Sequence, residues 1–245
     1  MIESAVRGLG MTEPARGATG APVDGPLSGL LPGGRLRPGT AAAAGGDVPL
    51  LLALAADAVA AAGRAGHGTV GWAAVGLPEL GALAAADAGL DLGAGLWVDD
   101  PGGRWPAVLS ALLEAVPVVL VGPGLPAMPD RVHRRLAALQ RRHGTVLVAA
   151  GAWPGAAVRL TVVRAAWEGV KDGHGLLRGR RVTVAATGRG AAAGSASADL
   201  WLPGPDGRAA AVEPAPVAVP APGPERLPRP VRPGPFGQPV KWRVW

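Results

Sequence analysis

The chain has 245 residues and is dominated by Ala (50), Gly (39) and Pro (26), whose side chains carry no acid–base or metal-binding chemistry. It contains no Cys, which excludes disulfide scaffolds, zinc–thiolate sites, iron–sulfur proteins and cysteine nucleophiles. Its two lysines, Lys171 and Lys241, leave few candidates for amine chemistry. The formal net charge of +6 indicates either a polyanionic partner or an Arg-rich coding bias, because Arg, Ala, Gly and Pro are enriched together.

Composition divides the chain into three zones. Residues 1–28 are rich in Gly, Pro and Ala without periodicity, which predicts a disordered arm. Residues 29–212 alternate apolar runs with Gly and Pro breaks and predict one folded core. Residues 213–245 are Pro-rich and predict an extended linker that ends in an aromatic tail. The sequence has neither a secretory signal pattern nor an apolar run of bilayer length, so we expect a cytoplasmic protein.

The folded zone alternates strands and helices. In chain order the predicted elements are strand 40–44, helix 49–62, strand 69–75, helix 78–88, strand 95–98, helix 105–115, strand 116–121, helix 130–143 and strand 146–149. Residues 158–162 and 182–184 then alternate with period two, and a last short strand is predicted at 199–202. This order predicts a three-layer α/β core with a mostly parallel sheet and antiparallel strands added at one edge.

A Gly-rich turn between the first strand and the first helix is where such a sheet would hold a phosphate. The turn contains Gly45, Gly46, Asp47 and Pro49, without the Lys and hydroxyl of a P-loop. The negative charge of Asp47 would repel a phosphate, and Pro49 has no backbone N–H to donate to one. Gly122 follows the strand at 116–121, where a metal-binding carboxylate would be required. We therefore expect a degenerate phosphate loop with no nucleotide hydrolysis, no cofactor and no metal.

Several runs of this chain resemble a RecA-type core, and their combination is similar to the ImuA-type proteins of actinobacterial mutagenesis cassettes. The runs that carry the resemblance lie within residues 29–203 and are 31–40, 77–80, 86–91, 118–121, 142–146, 167–169 and 173–182. The resemblance implies a RecA-like fold. It also implies a non-catalytic adaptor in SOS-induced, error-prone translesion DNA synthesis. The implied partners are ImuB, an inactive homologue of Y-family polymerases, and through it an error-prone C-family polymerase. Such a protein would associate with the nucleoid when it is engaged.

The C-terminal segment is the candidate partner-binding site, because it holds the chain's one Phe and two of its eight Trp after a Pro-rich linker. Large exposed aromatic side chains are enriched among the residues that dominate interface energies. The apolar residues also alternate with charged ones, as in a strand that adds to a sheet edge. The candidate residues are Phe236, Val240, Trp242, Val244 and Trp245. The alternative is that the segment folds back on its own core as an edge strand.

Two further classes of function remain open, DNA binding and another role of a RecA-like fold. A DNA-binding protein would use the Arg-rich helix 130–143 and the hairpin at 178–181, and its candidate residues are Arg134, Arg135, Arg141, Arg142, Arg180 and Arg181. A solvated, Arg-biased surface is the competing interpretation of the same residues. A RecA-related ATPase or recombinase, or a division inhibitor with a degenerate RecA-like fold, is the other possibility. We expect Trp153 and Trp167 to be packing residues and the four histidines to lie at the surface.

Overall fold

The computed structural model describes residues 25–66, 68–126, 128–171, 174–188 and 196–212 of the chain. The strands are β1 (Ala41–Ala43), β2 (Trp72–Val75), β3 (Gly95–Val98), β4 (Val118–Val121), β5 (Val146–Ala149), β6 (Val158–Lys171), β7 (His174–Gly188), β8 (Ala196–Trp201) and β9 (Ala210–Ala211). The helices are α1 (Val48–Arg64), α2 (Ala82–Asp87), α3 (Trp105–Ala115) and α4 (Asp130–His143), and short 3₁₀ segments span Ser28–Leu30, Pro32–Gly34, Leu92–Ala94 and Gly102–Arg104.

One nine-stranded sheet organises the described chain, in the order β3-β2-β4-β5-β1-β6-β7-β8-β9. The six strands from β3 to β6 in this order are joined by parallel pairings. The pairings of β6 with β7, β7 with β8 and β8 with β9 are antiparallel. This confirms the predicted mixed α/β fold with a mostly parallel sheet and antiparallel strands at one edge.

Helices cover both faces of the parallel part, and the alternation of residues along each strand explains the two layers. On one face Val118 and Leu120 of β4 pack in a cluster with Leu50 and Leu54 of α1. On the other face Val119 and Val121 of β4 pack in a second cluster with residues of α3 and α4. A strand buried on both faces reads as a continuous apolar run, which is why β4 shows no polar alternation.

Helix α4 illustrates how local sequence fixes an element. Its predicted inward residues Val132, Leu136 and Leu139 all pack in the second cluster, where Leu136 is fully buried. The helix ends at His143, and the next residue, Gly144, adopts a left-handed conformation with φ +71°. That conformation favours Gly and closes a helix, so the predicted boundary is confirmed.

The antiparallel part departs most from the sequence prediction. Strands were expected at residues 158–162 and 182–184, whereas β6 and β7 run for 14 and 15 residues and pair along most of their length. Their distal parts form a two-stranded ribbon, residues 164–171 and 174–179, which continues past the sheet. Period-two alternation ends there because few of these residues face a core. Helix α2 is six residues long and thus shorter than predicted.

The N-terminal boundary also differs from the prediction. Leu27 was placed in the disordered arm, yet it is buried in the cluster around α1, and Leu30 and Leu31 join it there. Gly and Pro surround these few apolar residues in the sequence, so no periodic pattern indicated that they belong to the core. Residues 213–245, with the predicted linker and aromatic tail, lie outside the described residues, as does the segment between β7 and β8. Within the described ranges, every helix is too short or too polar to cross a bilayer.

Candidate functional site

The loop between β1 and α1 lies at the carboxyl end of a central parallel strand, the usual place for a ligand in an open α/β sheet. Gly45 and Gly46 both adopt positive φ angles, +58° and +86°. A Cβ on Gly45 would lie 2.8 Å from the carbonyl oxygen of Leu160 in β6, so the loop needs glycine for close packing as well as for conformation. The sequence therefore folds here into a tight turn against β6.

The backbone donors that would cradle a phosphate are already used inside the protein. The Gly46 N–H donates to Ala150 O at 2.5 Å, and the Asp47 N–H donates to Ala44 O at 3.2 Å. The Leu50 N–H donates to the Asp47 side chain at 3.0 Å. Pro49 has no N–H to offer. An anion at this helix start would thus have to displace existing hydrogen bonds.

The Asp47 carboxylate takes the position at the start of α1 that a phosphate would occupy. It caps the helix through Leu50 and also accepts two hydrogen bonds from the Arg180 guanidinium, at 2.5 Å and 3.2 Å. Both side chains are largely buried, with exposed fractions of 15% and 12%. A bidentate Arg–carboxylate pair that is largely shielded from water is costly to separate, because each charge would be left unpaired. We call these two residues the Asp47–Arg180 clamp.

The end of β4 lacks a metal ligand for a steric as well as a chemical reason. A Cβ on Gly122 would lie 1.7 Å from the carbonyl oxygen of Gly76, and the Gly122 N–H donates to Val75 O at 2.8 Å. Strand β2 is therefore so close that no side chain fits at this position. The carboxylate that sequence analysis found to be missing could not be restored by one substitution.

Two depressions flank the clamp. One is a shallow polar cleft of about 340 Å³ between Gly45–Asp47, residues 162–165 of β6 and Arg180. The other is a more apolar groove of about 290 Å³ between the start of α1, the end of α2 and the ribbon. Val48 and Leu52 line it from α1, and Trp167 and Leu177 line it from the ribbon. Its lining suits apolar side chains rather than a phosphorylated ligand.

The prediction that both Trp153 and Trp167 are packing residues is half wrong. Trp153 packs against the cluster around α3 and α4, and its ring meets the His133 ring edge-on at 6.3 Å. Trp167 is 53% exposed, because the ribbon that carries it extends beyond the covered sheet. His133 is held by Pro154, whose carbonyl oxygen lies 2.8 Å from Nε2.

The candidate DNA-binding arginines lie at separate places. Those of α4 are exposed on the face turned away from the sheet, and these are Arg134, Arg135, Arg141 and Arg142. Arg180 faces α1 on the opposite side of the sheet and is engaged by Asp47. Arg181 is exposed, and as the next residue of β7 it points to the other side. Arg180 is therefore separated by the sheet from the arginines of α4.

The partner-binding candidates Phe236, Val240, Trp242, Val244 and Trp245 lie outside the described residues. Sequence reasoning found Asp47 but missed Arg180 as its partner, since the two are 133 positions apart and neither belongs to a recognisable pair motif. A weak signal existed, because an Asp inside a would-be anion site needs a cation or helix end to stabilise it.

Comparison with known proteins places this architecture in a family. The family model described as the MT3502 N-terminal domain matches residues 29–155, which run from the first 3₁₀ segment through β5. The chain is also similar to a protein of Mycobacterium tuberculosis (strain ATCC 25618 / H37Rv) titled "Uncharacterized protein Rv3395c". The two are 33% identical over 170 residues, which is 65% of this chain and 80% of the relative. The chain therefore belongs to the MT3502 N-terminal domain family.

Proposed function

We propose that this protein is an ImuA-type, RecA-like adaptor that acts without catalysis in SOS-induced, error-prone translesion DNA synthesis. In this role it binds an inactive Y-family polymerase homologue, ImuB, through its C-terminal segment. That partner brings in an error-prone C-family polymerase, and the complex works in the cytoplasm at the nucleoid. The mycobacterial relative is consistent with an actinobacterial protein of this kind.

The observation that carries the non-catalytic part is the Asp47–Arg180 clamp. A nucleotide-hydrolysing protein needs free backbone N–H groups and a free cation at the start of the first helix. Here the Leu50 N–H and the Arg180 guanidinium are both bound by the Asp47 carboxylate. The steric exclusion of any carboxylate at Gly122 supports the same conclusion. Titration calorimetry with magnesium and ATP should give no binding heat at protein concentrations of about 50 µM. Saturable binding would instead support the ATPase alternative.

The partner-binding part is tested by co-purification from DNA-damaged cells. Full-length bait should bring down a polymerase-like protein, while bait ending at Pro235 and bait with Trp242→Ala and Trp245→Ala should not. Leu83→Ala is the matched control, because Leu83 is 73% exposed on α2 and lies outside the C-terminal segment. Equal recovery with all baits would place the contact elsewhere in the chain. Absence of any replication protein with full-length bait would contradict the adaptor proposal itself.

DNA binding remains the second candidate, and one observation favours it. Among the described residues the Asp47–Arg180 clamp is the only ion pair, so the exposed arginines of α4 have no carboxylate partner there. Phosphate contacts would make affinity fall steeply with salt, with a slope that decreases by about 0.7–0.9 for each contact removed. Affinity for a single-stranded oligonucleotide should be measured between about 50 and 200 mM salt for the wild type and for Arg134→Gln with Arg141→Gln. Identical slopes would exclude α4 as the DNA-binding element.

A further inference from the structure

Exposed arginines follow one face of helix α4 along most of its length. They are Arg131, Arg134, Arg135, Arg141 and Arg142. With about 100° of rotation per residue, these positions fall within an arc of about 120°, and the exposed Ala138 lies in the same arc. Val132, Leu136 and Leu139, on the other side of the helix, pack in the second cluster. The arginines thus form a stripe about 17 Å long.

The loop that precedes β1 adds one arginine beside the last turn of α4. A Cβ on Gly39 would lie 3.1 Å from the Cα of Arg141, so the loop packs directly against that turn. The N–H and the hydroxyl of Thr40 both donate to the carbonyl oxygen of Arg37, at 3.2 Å and 2.6 Å, and these bonds fix a tight turn. Arg37 is exposed. We call Arg37 and the five arginines of α4 the basic surface.

The stability of α4 itself does not account for these arginines. Arg141 and Arg142 lie in the last turn, where cations favour the helix dipole, but Arg131 lies in the first turn, where a cation is disfavoured. Arg131 is also three and four positions from Arg134 and Arg135, so like charges are neighbours on the helix surface. Within the described ranges none of the arginines of the basic surface forms an ion pair. An external anion would relieve this repulsion.

The chemistry of this face favours a phosphate backbone over a protein or a membrane. The exposed residues of α4 are Asp130, the five arginines, Ala138 and His143. A protein interface usually has an apolar centre, which this face lacks. A membrane-surface helix inserts its apolar face into the lipid, whereas the apolar face of α4 is packed in the second cluster. Phosphates need neither, because arginine binds them through its charge and its paired N–H groups.

Double-stranded DNA fits this surface better than a single strand does. Single-strand sites use aromatic side chains on which the bases stack, and α4 contributes no Phe, Tyr or Trp to this face. A duplex carries one negative charge for about every 1.7 Å of its axis, so a stripe of about 17 Å lies along about ten phosphates. Arginine contacts to phosphate fix the position of a protein on the duplex but carry no sequence information.

We infer that the basic surface binds the phosphate backbone of double-stranded DNA without reading its base sequence. This binding mode rests on the DNA-binding candidate given above and specifies its substrate, and it does not depend on the adaptor role. It makes Arg37 and Arg131 phosphate-binding residues together with the arginines that the sequence had indicated on α4.

The salt dependence of duplex binding by the full chain tests this inference. Affinity for a duplex of about 20 base pairs should be measured by fluorescence anisotropy between about 50 and 200 mM salt. Arg131→Gln with Arg135→Gln, and Arg37→Gln with Arg141→Gln, should each flatten the salt slope. The expected change is about 0.9 for each phosphate contact that is lost.

Two control proteins separate phosphate contacts from general effects. Arg164→Gln with Arg208→Gln removes two exposed charges that lie outside the basic surface, and it should leave the slope unchanged. Arg131→Lys with Arg135→Lys keeps both charges and should bind with nearly the wild-type slope. A Lys variant whose slope is as flat as that of the Gln variant would show that the loss is not one of phosphate charge contacts, and would overturn the inference.

The form of the DNA provides the remaining outcomes. A single strand of the same length should bind more weakly, and two duplexes of unrelated sequence should bind equally. Tighter binding to the single strand, a preference of more than about tenfold for one duplex, or an equally flattened slope in the control pair overturns the inference but leaves the DNA-binding candidate in place. Absence of binding to either form at about 50 mM salt rejects both. The adaptor role is decided separately, by the co-purification.

Discussion

Asp57 is the clearest case of a single residue that works against stability. It lies in α1, and among the described residues its Oδ2 is buried without a hydrogen-bond partner. Burial raises the pKa of this carboxyl above its ordinary 3.8, while the nearby Arg64 guanidinium lowers it by a smaller amount. The folded protein thus holds this proton more tightly than the unfolded chain does. Stability is lost as the pH rises from about 3.8 through the raised pKa.

Asp57→Asn should therefore stabilise the protein at neutral pH, because the amide keeps the shape without the buried charge. The gain over the wild type should be smallest below pH 3.8, grow as the pH rises, and become constant above the raised pKa. Urea unfolding of both proteins at several pH values measures this gain in the free energy of unfolding. A gain that is independent of pH, or a loss confined to neutral pH, would contradict this assignment.

The two roles of Asp47 can be separated by paired substitutions. Asp47→Asn keeps an N-cap oxygen but removes the charge opposite Arg180, whereas Asp47→Ala removes both. The free energy of unfolding should fall by about 1 kcal/mol more in the Ala variant than in the Asn variant, because an N-cap usually contributes that amount. Both should be less stable than the wild type, since Arg180 is left without its partner. Equal unfolding free energies for the two variants would show that the cap contributes nothing.

The sequence allowed Asp47 to be singled out but not its environment. The loop is informative locally, since it lacks the Lys and hydroxyl of a P-loop and since Pro49 has no N–H to donate. The clamp depends on Arg180, which comes from a distant strand, and its proximity follows only from the register of the whole sheet. Charge patterns identify surface residues well, yet long-range pairs have no local signature.

At the level of elements, the parallel strands were predictable because burial on both faces leaves a continuous apolar run, and their helices because burial on one face leaves a helical periodicity. Strand β5 and helices α3 and α4 begin and end at the predicted residues. The ribbon was not predictable, because Ala165, Ala166 and Gly169 give neither alternation nor strong strand preference. Its length is set by pairing between β6 and β7 rather than by a core.

The close contact of β2 and β4 at Gly122 gives a prediction for these elements. Gly122→Ala should lower stability by about 1–3 kcal/mol or more, because its Cβ would overlap the Gly76 carbonyl oxygen. Gly124→Ala is the matched control, since nothing lies within 4 Å of a Cβ there, and it should change stability by less than about 0.5 kcal/mol. Denaturant midpoints of the two variants provide the measurement. Equal midpoints would mean that the backbone near Gly122 moves to accept a Cβ without loss of stability.

At the scale of the whole core, one sheet separates two apolar clusters and belongs to both of them. Loss of either cluster exposes strands that the other requires, so the described core should unfold in one step. Leu54 and Leu109 lie fully buried on opposite faces. Leu54→Ala and Leu109→Ala should each cost about 2–5 kcal/mol.

Scanning calorimetry should show one transition in both variants, displaced to lower temperature in each. The matched positions make the comparison direct, since both substitutions remove the same atoms from fully buried sites. A second transition that stays at the wild-type temperature in one variant would mean that the two clusters unfold independently.

The place of β1 in the sheet has a consequence for how the protein is made. Ala41 of β1 pairs with Leu147 of β5, and Ala42 also pairs with Val158 of β6. Strand β1, the first of the described strands, thus waits for partners that are translated more than about 100 residues later, several seconds at typical rates of synthesis. Until then both of its edges are open, and the nascent chain at this stage is a natural client for a chaperone. Contacts of such long sequence separation also predict slow refolding of the isolated chain.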